Sequence, residues 1–137
     1  MDRFSPSERS KMMARVRSED TGPELVVRKL IFALGFRYRL HVKALPGRPD
    51  IVFRRMQKVI FVHGCFWHRH EGCRLAQLPK SHSDFWLAKL EANKQRDERN
   101  RRDLVMAGWK VMAIWSCELK DTGKLCGRIQ RFLELPT

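Results

Sequence analysis

Nine consecutive residues, Cys65-Phe66-Trp67-His68-Arg69-His70-Glu71-Gly72-Cys73, crowd thiols, imidazoles and large aromatic rings into one short segment. Cys65, His70 and Cys73 have the spacing of the short-range half of a tetrahedral zinc site, and Cys117 can supply a fourth soft ligand. His68 is left outside that set, because neighbouring side chains on so tight a loop cannot all reach one ion. A structural metal beside a free imidazole predicts a braced functional loop. Four cysteines without a secretion signal read as metal ligands rather than disulfides, and Cys126 as an ordinary helix residue.

A second group of residues suits a hard cation. Asp50 follows Pro49 at the start of one strand, and Val62-His63 ends the next. A hairpin brings those places together, so that the Asp50 carboxylate and the Val62 main-chain carbonyl can offer oxygens to Mg²⁺. Read alone, Asp50 also suits a turn cap after proline. His63 and His68 flank Cys65; a neutral imidazole takes a proton from water, and an imidazolium stabilises phosphate charge. Glu24 opens a helix, where it fits a capping box or a reach toward the cation. Phe66 and Trp67, on a metal-braced loop among polar residues, suit rigid wedges between base pairs. Trp86, in the first turn of a long helix, suits core packing as well.

Charge names the partner class. Twenty-eight Lys and Arg against fifteen Asp and Glu leave +13. Such an excess repels itself unless a polyanion neutralises it. Nucleic acid is expected, in binding that weakens with salt by roughly 0.9 log units per log unit of salt for each phosphate neutralised. Arg9, Lys11, Arg15 and Arg17 have few acidic neighbours and form the candidate phosphate-binding arm. Lys89, Lys94, Arg96, Arg99, Arg101 and Arg102 alternate with acids, as on a solvated helix face. No apolar run approaches the roughly 18 residues of a membrane span, and no signal-peptide core follows the first basic residues; a cytoplasmic location is expected.

The elements that must position these groups can be read in order. The 137 residues fit one domain. Ser5-Pro6-Ser7-Glu8 opens a basic helix over about 5–18, and Thr21-Gly22-Pro23-Glu24 opens a second, ended by Gly35. Phe36, Tyr38, Leu40 and Val42 alternate with Arg37, Arg39 and His41, predicting a half-buried strand with a basic outer face. After a loop over 43–49, Asp50 to Phe53 and Lys58 to Val62 are strands; the second, apolar throughout, is central. A charged helix from Ser81–Asp84 to about Met106, a strand from Trp109 to Trp115 and a last helix from about Thr122 to Leu133 complete the chain.

Leu45-Pro46-Gly47-Arg48-Pro49-Asp50, the block from Val59 through His63-Gly64-Cys65-Phe66-Trp67-His68, Phe85-Trp86-Leu87, Gly108-Trp109 and Trp115-Ser116-Cys117 closely resemble the Vsr, or very-short-patch-repair, endonucleases of bacteria. The likeness runs from about Arg9 to the last helix. It implies a monomeric α/β fold of restriction-endonuclease-like, PD-(D/E)xK type: a mixed sheet flanked by helices, with a structural zinc. It implies a Mg²⁺-dependent nick, 5′ to the T of a T:G mismatch left by deamination of 5-methylcytosine, in double-stranded DNA, with MutL-type repair proteins as possible partners. By position, Asp50 and the Val62 carbonyl would hold magnesium and His68 would be general base, oriented by Asp97. Glu24 and His63 would contact phosphate or the water around magnesium. Cys65, His70, Cys73 and Cys117 would hold zinc, and Phe66, Trp67 and Trp86 would intercalate. The chain departs from the pattern at Val62, where the family commonly has Thr, and at Arg69 and Glu71-Gly72, which replace a more His-rich stretch with one residue inserted before Cys73. A restriction-type nuclease indifferent to mismatch and a non-catalytic, zinc-stabilised DNA-binding module are the alternatives.

Overall fold

Residues 20–134 are described in a computed structural model of the chain, so the basic helix expected over about 5–18, with Arg9, Lys11, Arg15 and Arg17, lies outside the described residues. Thr21 caps the first helix, α1 (Gly22–Ala33), its side-chain oxygen accepting from the Glu24 N–H at 3.3 Å with Pro23 in the first turn. Gly35, at φ 95°, turns the chain out of α1 where a side chain would be strained. Four strands follow the predicted order, β1 (Arg39–Leu40), β2 (Ile51–Phe53), β3 (Lys58–His63) and β4 (Lys110–Trp115), with α2 (Ser83–Met106) crossing between β3 and β4 and α3 (Thr122–Glu134) last.

The sheet order is β1-β2-β3-β4, antiparallel until the β3–β4 pair, which is parallel. Central β3 is covered on both faces, which is why Val59, Ile60 and Val62 can all be apolar. Alternation sorts the side chains. Ile51, Phe53, Ile60, Val62, Met112 and Ile114 face α1 and α3, where Val27, Ile31, Leu125, Ile129 and Leu133 complete the larger core. Val52 and Val59 face the other way, onto Leu104 of α2. The result is a mixed α/β fold with a helix layer on each side of the sheet.

β1 is shorter than the alternation predicts. Phe36 and Tyr38 still pack edge-on against Phe53, but only Arg39 and Leu40 pair with β2. His41 adopts φ 47°, a left-handed conformation that ends the extended run. Lys58, read as part of an apolar strand, is fully buried; its Nζ donates to the Phe132 and Leu133 carbonyls at 2.7 and 3.1 Å, capping α3. Among the described residues no helix is long and apolar enough to cross a membrane.

Candidate active site and metal centres

The site lies beyond the carboxyl ends of the parallel pair. In register, His63 of β3 stands beside Trp115 of β4. The chain leaves both strands in the same direction, so the loop from Gly64 and the turn from Ser116 meet, although 51 residues separate Cys65 from Ser116. Strand alternation puts Phe61, His63 and Trp115 on the α2 side of the sheet. Asp50, one residue before β2, falls on that side too. An open cleft of about 920 Å³ forms there, with Glu24, Asp50, Val62, His63, His68 and Asp97 among its walls.

Asp50 does meet the end of β3, as the hairpin predicted. Its Oδ2 accepts the Val62 N–H at 2.7 Å, which fixes the carboxylate against that backbone. Burial pushes its pKa up to about 7; the Val62 N–H opposes the rise and the Glu24 carboxylate adds to it. Glu24 is only 2% exposed. Its N–H follows the capping pattern, but its Oε2 turns elsewhere, accepting from Asp20 N–H and Arg28 at 3.1 Å each and meeting His41 Nε2 at 3.0 Å. His41, expected on a basic outer face, is therefore a cleft residue. Its left-handed backbone aims the imidazole inward while its N–H donates to the Asp50 carbonyl at 3.2 Å. Nothing in the alternation marked it, because that pattern assumes an unbroken strand.

The two expected imidazoles come together. His63 and His68 stack with centroids 4.0 Å apart, and His68 Nδ1 lies 2.5 Å from Asp97 Oδ2 on α2. Donation from Nδ1 to that carboxylate leaves Nε2 able to accept a proton, the arrangement a general base requires. His63 is held neutral; burial, then the adjoining His68, pushes its pKa down to about 3. The loop preceding Asp50 is pressed onto α2 at Gly47, where φ is 74° and an added Cβ would lie 2.9 Å from Asn100. The proline-glycine pair thus closes one wall of the cleft.

Cys65, His70, Cys73 and Cys117 gather with their ligand atoms all within 4.8 Å of one another. A tetrahedral zinc with bonds of about 2.0–2.3 Å spaces its ligands by roughly 3.5–3.8 Å. Cys117 Sγ and His70 Nδ1 are 3.6 Å apart, and three sulfurs with one imidazole form a closed structural donor set, so the residues fit the metal. Ser116 Oγ and the Cys117 N–H approach Cys65 Sγ at 3.2 and 3.4 Å, donors of the kind that steady a thiolate. The sequence gives Ser116 no role of its own and marks it only by its place directly before Cys117. For magnesium, Asp50 with a main-chain carbonyl is a hard-oxygen set of the usual kind.

Phe66, Trp67 and Trp86 form one cluster, edge to face, with centroids 5.1, 5.5 and 6.0 Å apart. Each is half-buried rather than free of the fold, and Trp67 reaches the cleft. Asn93 of α2 holds this loop by donating to the Trp67 carbonyl at 3.0 Å. Lys89 and Arg96 of the same helix are exposed, as a solvated face requires, and also border the cleft, where they supply positive charge.

The family described as "DNA mismatch endonuclease Vsr" matches residues 1–74. A type II nicking enzyme, V.XorIIP of Xanthomonas oryzae pv. oryzae, is 52% identical over 133 residues, 97% of each chain. Another, V.NmeAIP of Neisseria meningitidis, is 43% identical over 132 residues, 96% of this chain and 94% of its own. DNA mismatch endonuclease Vsr of Escherichia coli is 40% identical over 117 residues, 85% of this chain and 74% of its own. With its cleft of paired carboxylates and imidazoles, the chain belongs to the Vsr family and is an endonuclease.

Proposed function

We propose that this endonuclease nicks one strand of double-stranded DNA, 5′ to the T of a T:G mismatch, and that it requires Mg²⁺. The observation that carries the chemistry is the meeting of Asp50, the Val62 backbone and the His68–Asp97 pair in one cleft. Asp50 and the Val62 carbonyl would hold magnesium, which when bound withdraws charge from the scissile phosphate and eases departure of the 3′ oxygen. His68, oriented by Asp97, takes a proton from the attacking water at Nε2. His63 remains uncharged and supports the His68 ring. Glu24, fixed by Arg28 and His41, faces the same space and helps order water there.

Specificity for a mismatch draws on the printed name of the E. coli relative and on the aromatic cluster. Three rings beside the reacting groups suit a wedge at a base step that pairs poorly, where unstacking costs least. The fold is read as restriction-endonuclease-like with a structural zinc at Cys65, His70, Cys73 and Cys117. The active form is read as a cytoplasmic monomer, with MutL-type repair proteins as candidate partners by family analogy.

Two duplexes of identical sequence, one matched and one with a central T:G pair, test this reading with and without Mg²⁺. Nicking of the T-containing strand alone, only in the mismatched duplex and only with Mg²⁺, is expected. Equal cutting of the matched duplex would mark a restriction-type nuclease instead. Tight binding without cleavage under every metal condition would leave only a binding module.

A further inference from the structure

We propose that Trp115 is a positioning residue whose indole carries the constraint of the Cys65–His70–Cys73–Cys117 cluster to His63 and, through it, to His68. Three ring contacts in series link that cluster to the reacting groups. His70 lies flat on Trp115, with centroids 4.1 Å apart and planes 6° from parallel. Trp115 meets His63 at 5.1 Å with a 53° tilt, and His63 stacks on His68 at 4.0 Å and 30°. Phe61 backs His63 at 5.6 Å. The far end is tied to α2 by the His68–Asp97 hydrogen bond.

The indole has a fixed base and a soft surrounding. The Trp115 main-chain N–H donates to Glu118 Oε1 at 3.0 Å, and Glu118 pairs with Arg128 of α3. The next two residues, Ser116 and Cys117, both contact Cys65 Sγ. Beyond the rings, between α2 and the sheet, is a cavity of about 360 Å³ that Trp115, His63, His68 and His70 all line. On that side open space borders the imidazoles, so the contacts that orient them are the indole, Phe61, Asp97 and one another. Zinc bound at the cysteines would fix His70, and His70 fixes the indole face. Displacements of about 1 Å at a catalytic group can cost on the order of 100-fold in rate.

This inference rests on His68 being the base, and its test uses the full, zinc-loaded chain. Trp115→Leu keeps apolar bulk without a ring face; Trp115→Phe keeps a face. Zinc per chain, T:G duplex affinity, single-turnover nicking rate and solvent exchange of the His68 Nδ1 proton are measured for both. Trp115→Leu is expected to bind zinc and duplex normally, to nick on the order of 10- to 100-fold more slowly and to exchange that proton faster. Trp115→Phe is expected to stay close to wild type in all four. Wild-type rate and proton protection in a zinc-loaded Trp115→Leu would overturn the proposal. If Trp115→Leu does not hold zinc, Trp115→Phe decides: slow nicking and rapid exchange with zinc in place overturn it, and wild-type values support it. The proton measurement needs no DNA, so a wild-type enzyme that ignores T:G pairs would refute the proposed substrate without deciding this question.

Discussion

A buried carboxylate facing a second carboxylate is poorly placed for a charge, and Asp50 shows it: although the Val62 N–H at 2.7 Å favours ionisation, burial above all holds its pKa at about 7. Because that value lies above the unfolded one, the folded chain without metal binds the extra proton between about pH 4 and pH 7. The stability this contributes is present at low pH and lost as pH rises through 7. His63 acts in the opposite sense: held at about 3, it costs stability as pH falls below about 6.5. Asp50→Asn should therefore stabilise the metal-free protein at pH 8 by about 1–3 kcal/mol, in denaturant titration, while nicking falls at least about 1,000-fold. With only His63 left of the two, the variant should weaken from pH 6.5 downward. In the wild type, magnesium must meet the ionised carboxylate, so its apparent affinity should climb with pH up to about 7 and then level. An affinity flat from pH 5 to 8 would remove Asp50 from the metal site.

Helices and strands mostly followed local signals, and each exception has a tertiary cause. The Thr21 cap, the glycine stops at Gly35 and Gly108 and the apolar run of β3 all lie where capping and periodicity put them. β1 kept its alternation but lost most of its pairing: β2 ends at Phe53, and the left-handed turn at His41 takes the chain to the cleft instead of the sheet. Lys58 sits in an apolar strand because the carbonyl end of α3, seventy-four residues away at Phe132, arrives over it. Replacing it by Met should keep the aliphatic stem and remove the donors, lowering stability by about 1–3 kcal/mol in thermal or urea unfolding. Nicking per folded molecule should be unchanged, since Lys58 lies at the opposite end of β3 from His63. A variant as stable as wild type would show that the α3 carbonyls find other donors.

At the scale of the molecule, one junction joins distant parts: Ser116 Oγ and the Cys117 N–H, in the turn after β4, both bond to Cys65 Sγ in the loop after β3. Stripping zinc with a strong chelator should lower the melting temperature by about 10 °C or more, reversed by zinc but not by magnesium. A melting curve indifferent to the chelator would leave the cysteines without a structural metal. Much of this protein was legible from its residues. The PGRPD and HGCFWH blocks and an excess of thirteen positive charges determined the family and DNA as the partner class, because side-chain type, turn propensity and charge are local properties. Which groups face one another was decided only when the chain closed. Parallel pairing of β3 with β4 set Cys65 beside Cys117 and His63 beside Trp115, and a left-handed His41 turned an outward imidazole onto Glu24. Those contacts depend on register and on helices packed from far along the chain, which no single stretch of sequence contains.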